Sequence, residues 1–157
     1  MASIRLSTAG VSIQYCVETE AGSRPTTGFT TIPEIKSIPE INPEPSTLDT
    51  TTLGELEYKT SIDGLKDMGG ALGFTANLTE EFVTAWETMV KAYEEAKKEG
   101  KRMAFAIVIP GLTKACYFYG NPSKLGSPAA EVDAVLEITA YITPTTAPEF
   151  AAKPEVA

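Results

Sequence analysis

Two pairs of adjacent acids are the side chains in this sequence best suited to acid–base chemistry. Glu80 is followed by Glu81, and Glu94 by Glu95; paired carboxylates can supply a general acid and a general base. Both pairs lie in a segment with helical periodicity, where adjacent acids usually form a solvated face. We therefore interpret them as surface charges and expect no enzymatic activity.

The other residue types that support catalysis or metal binding are scarce. The chain has no histidine, which excludes Ser-His-Asp and Cys-His catalysis and nearly every catalytic zinc site. Its two cysteines, Cys16 and Cys116, fall in predicted strands, and without an export signal free buried thiols are favoured over a disulfide. Gly69, Gly70 and Gly73 lack the Lys-Ser or Lys-Thr of a phosphate loop and indicate a turn. We expect no catalytic residue, cofactor or metal.

Chain length and net charge further limit the class of protein to which this sequence can belong. A chain of 157 residues with 43% hydrophobic residues is suited to a single domain, residues 1–157. The 21 acidic residues outnumber the 13 basic ones, giving a net charge of −8, which argues against a nucleic-acid-binding surface. No apolar run is long enough to span a membrane, and the first residues do not resemble a signal peptide. We expect folding in a cytoplasm and no membrane partner.

The elements that position any functional residue are organised around one amphipathic segment, residues 77–100. Thr79 can cap the first turn and Gly100 can end the helix in the left-handed conformation, so we predict a helix at about 79–99. Apolar residues recur there every three or four positions, which places them on one face. Core packing is a better interpretation of its aromatics than a sugar-stacking platform. The predicted packing face comprises Phe82, Val83, Trp86, Met89, Val90 and Tyr93.

The remainder of the chain has strand and loop character. Alternation and β-branched or aromatic content predict strands at 11–18, 29–41, 58–65 and 71–78 before the helix, and at 103–109, 115–119 and 131–142 after it. Pro33 and Pro39 indicate an edge strand or a bulge, and a turn at 67–70 makes a hairpin of 58–65 and 71–78. The predicted fold is mainly β and mostly antiparallel, with one helix that lies across a β-sheet or plugs the open end of a β-sandwich.

Three polar segments lie outside these elements. Residues 42–57 form a long, acidic, threonine-rich connection in which only Leu48, Leu53 and Leu56 have core-forming side chains, and a connection of this length is usually functional or disordered. Residues 1–10 and 143–157 are predicted to be arms, the second loose because it is rich in Pro, Thr and Ala. Extended arms and unpaired strand edges are suited to a self-assembling subunit.

The order and spacing of these segments resemble the tail tube (major tail) proteins of long-tailed, siphovirus-type bacteriophages. The similarity extends over nearly the whole chain. It is carried by GVSIQY at 10–15, IPEIKSIPEINPEPSTLDTTTL at 32–53, IDGLKDMG at 62–69, the helix, the strand–Pro-Gly–strand unit that reaches Tyr119-Gly120, and the strand at 135–143 that closes on Pro144.

The resemblance implies a structural virion protein of the bacteriophage tail, a β-sandwich or half-barrel that self-assembles into hexameric rings. These rings stack into a hollow tail tube for DNA ejection, with the helix outside and an acidic lumen through which DNA passes without specific binding. The arms would secure contacts between subunits, and tape measure, tail terminator and distal tail proteins would be partners. Assembly would occur in the host bacterial cytoplasm, and the protein would reside in the virion tail. The implied inter-ring loop comprises Leu48, Asp49, Thr50, Thr51, Thr52 and Leu53.

Two alternatives stay open at this stage. The same fold is shared by tube proteins of type VI secretion and contractile injection systems, so the chain could belong to one of these. A carbohydrate-binding β-sandwich belongs to a different class and would need exposed aromatic residues in a loop, whereas the aromatics here fall mostly in predicted strands and the helix.

Overall fold

The structure is a computed structural model that describes residues 10–41, 47–54, 56–64 and 70–154. In these ranges the chain forms ten strands and one helix, with six strands before the helix and four after it. The predicted order had four before and three after. The elements are β1 Ser12–Val17, β2 Thr30–Thr31, β3 Ile35–Ser37, β4 Thr47–Asp49, β5 Ser61–Asp63, β6 Leu72–Asn77, α1 Glu80–Lys98, β7 Met103–Val108, β8 Lys114–Pro122, β9 Glu137–Pro144 and β10 Glu149–Ala152.

The main sheet is antiparallel and curled. Its strand order is β2-β1-β7-β8-β9-β6-β3, and β10 pairs with β8 outside this path. The two end strands, β2 and β3, are joined by only Ile32, Pro33 and Glu34, so the sheet must curve until its edges approach each other. Pro33 fixes its own φ and Glu34 has φ +62°, which makes the tight turn that breaks the predicted 29–41 strand in two. The expected fold class, mainly β in a half-barrel with one helix, is confirmed.

The core fills the concave side of this sheet. Alternate residues of each strand point inward, and Phe74, Phe105, Phe118 and Ile142 are at most 2% exposed. The rings of Phe105 and Phe118, on paired strands, stack with centroids 5.3 Å apart. Each large side chain buried in this way contributes roughly 1.5–3 kcal/mol relative to its exposed state. The core therefore comes from strands on both sides of the helix in sequence.

Helix α1 covers that core, and its ends are set by local sequence. The Thr79 hydroxyl accepts a hydrogen bond from the Phe82 N–H at 3.2 Å, and Gly100 follows the helix with φ +75°. The Trp86 Nε1–H donates to the Ser123 carbonyl at 2.8 Å, which ties the helix to the chain after β8. Of the predicted packing face, Phe82, Trp86, Met89 and Val90 are buried, and Val83 and Tyr93 are partly buried.

The predicted hairpin between 58–65 and 71–78 is wrong. β5 pairs with β4 as a separate two-stranded sheet, while β6 lies between β9 and β3 in the main sheet. The turn expected at 67–70 lies largely outside the described residues. Alternation predicted that both segments are extended, but it does not specify a strand's partner.

The C-terminal part of the chain also differs from the prediction. Residues 131–136 are exposed and precede a strand that begins only at Glu137, and β8 continues through Pro122 into a segment predicted to be a loop. The loose arm expected from 143 onward is wrong for 143–152, because β9 runs to Pro144 and β10 pairs with β8. The Tyr117 hydroxyl donates to the Ala152 carbonyl and helps to hold β10 in place. Residues 1–9 of the predicted N-terminal arm lie outside the described residues.

Candidate assembly surfaces

The first candidate surface is the two-stranded sheet formed by β4 and β5, which we call the ribbon together with the described residues between them. Its register pairs Thr47 with Asp63, Leu48 with Ile62 and Asp49 with Ser61. All six residues are exposed. The implied inter-ring loop is therefore part of an ordered hairpin, with Leu48 and Asp49 in β4, Thr50–Thr52 after it and Leu53 in the turn.

The ribbon has two chemically different faces because side chains alternate along each strand. Leu48 and Ile62 are directly opposite each other on one face, and they are 57% and 56% exposed. Asp49 and Asp63 lie on the other face, which we call the acidic face. Toward the tip, three more large apolar side chains are almost fully exposed: Leu53, Leu56 and Tyr58. Exposed apolar patches mark interaction sites, and these five exposed side chains all belong to one small element.

Threonines hold the ribbon together where the strand pairing ends. The Thr50 N–H donates to the Thr60 carbonyl at 2.9 Å, and the two side-chain hydroxyls hydrogen-bond to each other at 3.1 Å. The Thr60 N–H donates to the Thr51 Oγ1 at 2.9 Å, and that hydroxyl donates to the Thr60 carbonyl at 3.2 Å. The run of threonines therefore has a structural reason, since β-branched hydroxyl residues are suited to a narrow two-stranded sheet without a core.

The second candidate surface is on the convex side of the main sheet, opposite the core. Tyr117 and Tyr119 are two residues apart on β8 and point to this side. The Arg24 guanidinium carbon lies 4.5 Å from the Tyr117 ring centroid, and that of Arg102 lies 3.7 Å from the Tyr119 ring centroid. Burial raises the pKa of both tyrosines, so the rings stay neutral and present cation-attracting faces. We call these four residues the arginine–tyrosine platform.

A buried carboxylate fixes one of the two arginines. Glu18 is 2% exposed, and its Oε1 accepts hydrogen bonds from the Arg102 N–H at 2.9 Å and the Arg102 Nε–H at 2.8 Å. Its Oε2 is buried and has no hydrogen-bond partner among the described residues. Arg24 differs, because no carboxylate of the described residues lies within 4.0 Å of its guanidinium.

The described residues contain two partly buried thiols. Burial raises the pKa of both the Cys16 and the Cys116 thiol, which keeps them protonated and weakly nucleophilic. No group of three or more metal-ligating side chains occurs in the described ranges. In the same ranges, no helix is long and apolar enough to cross a membrane.

The chain is similar to known proteins in its fold. No protein-family model and no curated protein sequence matches the chain. The fold is similar to a chain in the cryo-EM structure of the sheath/tube terminator, in the extended state, of PVC, an extracellular contractile injection system. The TM-score is 0.61 at 8% identity, over 97% of this chain and 100% of that chain.

Two structures of the anti-feeding prophage (AFP) give similar results. A chain of its 6-fold symmetrised baseplate matches with a TM-score of 0.58 at 9% identity, over 97% of this chain and 98% of that chain. A chain of its tube-terminating cap matches with a TM-score of 0.58 at 8% identity, over 97% of this chain and 94% of that chain. At such identities the likeness shows the fold alone.

The sequence analysis singled out one of the two candidate surfaces. Residues 48–53 lie in the ribbon, whose pairing was not predicted, and their role as an inter-ring loop stays a prediction. The platform was missed, because Arg24 lies in a polar loop and Tyr117 in a distant strand, and nothing local links them. The available signal was weak: both tyrosines fall on the same side of an alternating strand.

Proposed function

We propose that the protein is a tube subunit of a contractile injection-type tail, a structural protein that assembles with copies of itself. The observation that carries this proposal is the end-to-end fold match, which leaves almost no part of this chain or of the matched chains uncovered. PVC is an extracellular contractile injection system, and the AFP chains come from a baseplate and a tube-terminating cap, which favours this alternative over the long-tailed phage tube.

The proposal also accounts for the ribbon. A monomer that exposes Leu48, Ile62 and the apolar tip to water leaves favourable burial energy unused, at about 25 cal/mol per Å² of apolar surface. Contacts between different surfaces of identical subunits form closed rings or open stacks according to whether the rotation closes. In this proposal subunits form sixfold rings, and the ribbon reaches the next ring.

The remaining parts of the proposal concern the assembled particle. The tube would end at terminator and distal tail proteins, would enclose a tape measure protein during assembly and would be located in the tail. Its lumen would repel passing DNA, because the chain carries a net charge of −8. The protein would act as a conduit and not as an enzyme.

The ribbon provides the test. Replacing Leu48 and Ile62 by Asp (L48D I62D) should leave the monomer folded, since neither side chain contributes to the main core. We expect the variant to stay monomeric at concentrations where the unaltered protein forms rings or tubes, as measured by analytical ultracentrifugation and negative-stain electron microscopy.

Val132 supplies a matched control, since it is 91% exposed and lies outside the ribbon. The V132D variant should assemble as the unaltered protein does. Assembly of L48D I62D into tubes of ordinary length would contradict the role proposed for the ribbon.

A further inference from the structure

The platform and the acidic face of the ribbon are complementary in charge. On the platform, Glu18 neutralises one of the two guanidinium groups, and Arg24 has no carboxylate within 4.0 Å among the described residues. On the ribbon, Asp49 and Asp63 are both exposed. The remaining ribbon charges described nearer the tip, Glu57 and Lys59, offset each other. A protein with a strong net negative charge thus keeps both of its described arginines on one surface.

The two surfaces also match in spacing. The two arginines stack on the rings of Tyr117 and Tyr119. These tyrosines are two positions apart on an extended strand, so their Cα atoms are about 7 Å apart. Asp49 faces Ser61 in the ribbon register, so Asp63 is its diagonal neighbour, at about 7–8 Å on the same face. The two carboxylates of one ribbon are therefore spaced like the two tyrosines on which the guanidinium groups stack.

We propose that the acidic face of the ribbon of one copy docks on the arginine–tyrosine platform of a second copy, with Asp49 and Asp63 facing Arg24 and Arg102. The inference rests on the proposed function and identifies the surface that receives the ribbon. The ribbon's opposite face, with Leu48 and Ile62, then contacts a further copy, so the ribbon is inserted between subunits.

Both sides of the contact are organised before docking. Stacking on the tyrosines and the bond to Glu18 hold the guanidinium groups in place, and Arg102 uses its Nε for Glu18, which leaves its terminal amino groups for another acceptor. On the ribbon, Asp49 accepts a hydrogen bond from the Thr51 N–H at 2.9 Å. Hydrogen bonds from Thr51 lower the pKa of Asp49, so it is charged at neutral pH. Preorganised charged groups favour association because less conformational freedom is lost on binding.

Glu149 is an exposed carboxylate beside this surface, with the same charge as the acidic face of the ribbon. It is opposite Tyr117 in the β8–β10 register, it is exposed, and it lines the same cavity of about 200 Å³ as Arg24, Tyr117 and Tyr119. Removing this charge should strengthen docking. We expect E149Q to lower the concentration at which assembly begins, and an increase would count against the proposed orientation of the ribbon.

Charge reversal tests the pairing. We expect R24E and D63R each to raise the assembly concentration by about tenfold or more, and the double variant R24E D63R to return it to within about threefold of the unaltered protein. The assay is pelleting across a concentration series, with circular dichroism melting of the monomers as the check on folding. Two exposed residues of α1 provide control reversals, K97E and E95R, which should have no effect.

The remaining outcomes are decisive as well. Unaltered assembly of both single variants would overturn the inference and leave the proposed function standing. Loss of assembly without rescue in the double variant would also overturn it, because the two surfaces would then bind different partners. If the unaltered protein never assembles, the proposed function itself is contradicted.

A cross-link supplies a measurement that does not need polymers. S23C and S61C proteins keep all four charged groups, since Ser23 is next to Arg24 and Ser61 lies on the acidic face of the ribbon. Each also has Cys16 and Cys116 replaced by Ser, and the two are mixed under mild oxidation. We expect a disulfide-linked heterodimer in at least about fivefold excess over the product of S23C with the control E95C. Equal yields from the two mixtures would overturn the inference.

Discussion

At the scale of single residues, the least expected feature is the buried Glu18. A carboxylate that is 2% exposed is stable only when it is paired and hydrogen-bonded, and here Arg102 supplies both its backbone and its side-chain donor. The pair holds the end of β1 to the segment before β7 and places a guanidinium on the convex face. One ion pair thus connects the fold to the surface proposed for assembly.

This arrangement predicts different effects for the two arginines. R102A leaves Glu18 buried without its side-chain partner, and we expect the free energy of unfolding to fall by about 2 kcal/mol, reduced from the fully buried case because Arg102 is half exposed. R24A removes only a stacked cation and should lower the free energy of unfolding by at most about 0.5–1 kcal/mol. Urea denaturation of the monomers measures both, and equal effects would contradict the account of Glu18.

At the scale of elements, the helix and the ribbon show what sequence can predict. The helix was predicted to within a residue or two, because Thr79, the apolar spacing and Gly100 act within a few turns of each other. The ribbon was recognised as unusual but not as a hairpin, because the pairing of Leu48 with Ile62 is non-local. The platform depends on contacts between segments far apart in the chain, and such contacts are outside the reach of local patterns.

Strand β8 changes its pairing strand along its length, and one of its glycines gives a prediction about stability. Residues 116–119 pair with β7, and residues 120–122 pair with β9. A Cβ atom at Gly120 would lie 2.8 Å from the Ile142 Cγ2 and 3.1 Å from the Thr143 carbonyl oxygen. We expect G120A to lower the free energy of unfolding by about 1–3 kcal/mol.

The nearby Gly126 is the control for this prediction, since a Cβ there would meet nothing within 4 Å. Thermal melting of G120A and G126A should therefore separate the two variants clearly. Equal melting temperatures would show that the approach of β9 to Gly120 is looser than described.

At the scale of the whole molecule, the curled sheet limits where the proposed assembly contacts can lie. The concave side is filled by the core beneath α1, so in the proposed assembly the contacts with other copies are left to the convex side, the strand edges and the ribbon. β10 lies along β8 outside the main strand path, and among the described residues no strand pairs with its outer edge. An edge of this kind can pair with another chain. Sequence patterns predicted the β-rich class but not the curvature, which depends on the β2–β3 turn.

The most direct test of whether this chain is a tube subunit is a cryo-electron microscopy reconstruction of the purified protein at high concentration. We expect hollow tubes built of sixfold rings, with α1 outside and the ribbon of each subunit on the Arg24–Tyr117 surface of a copy in the next ring. Monomers at every concentration, including after addition of a preformed tail end as initiator, would contradict the claim that this chain is a tube subunit.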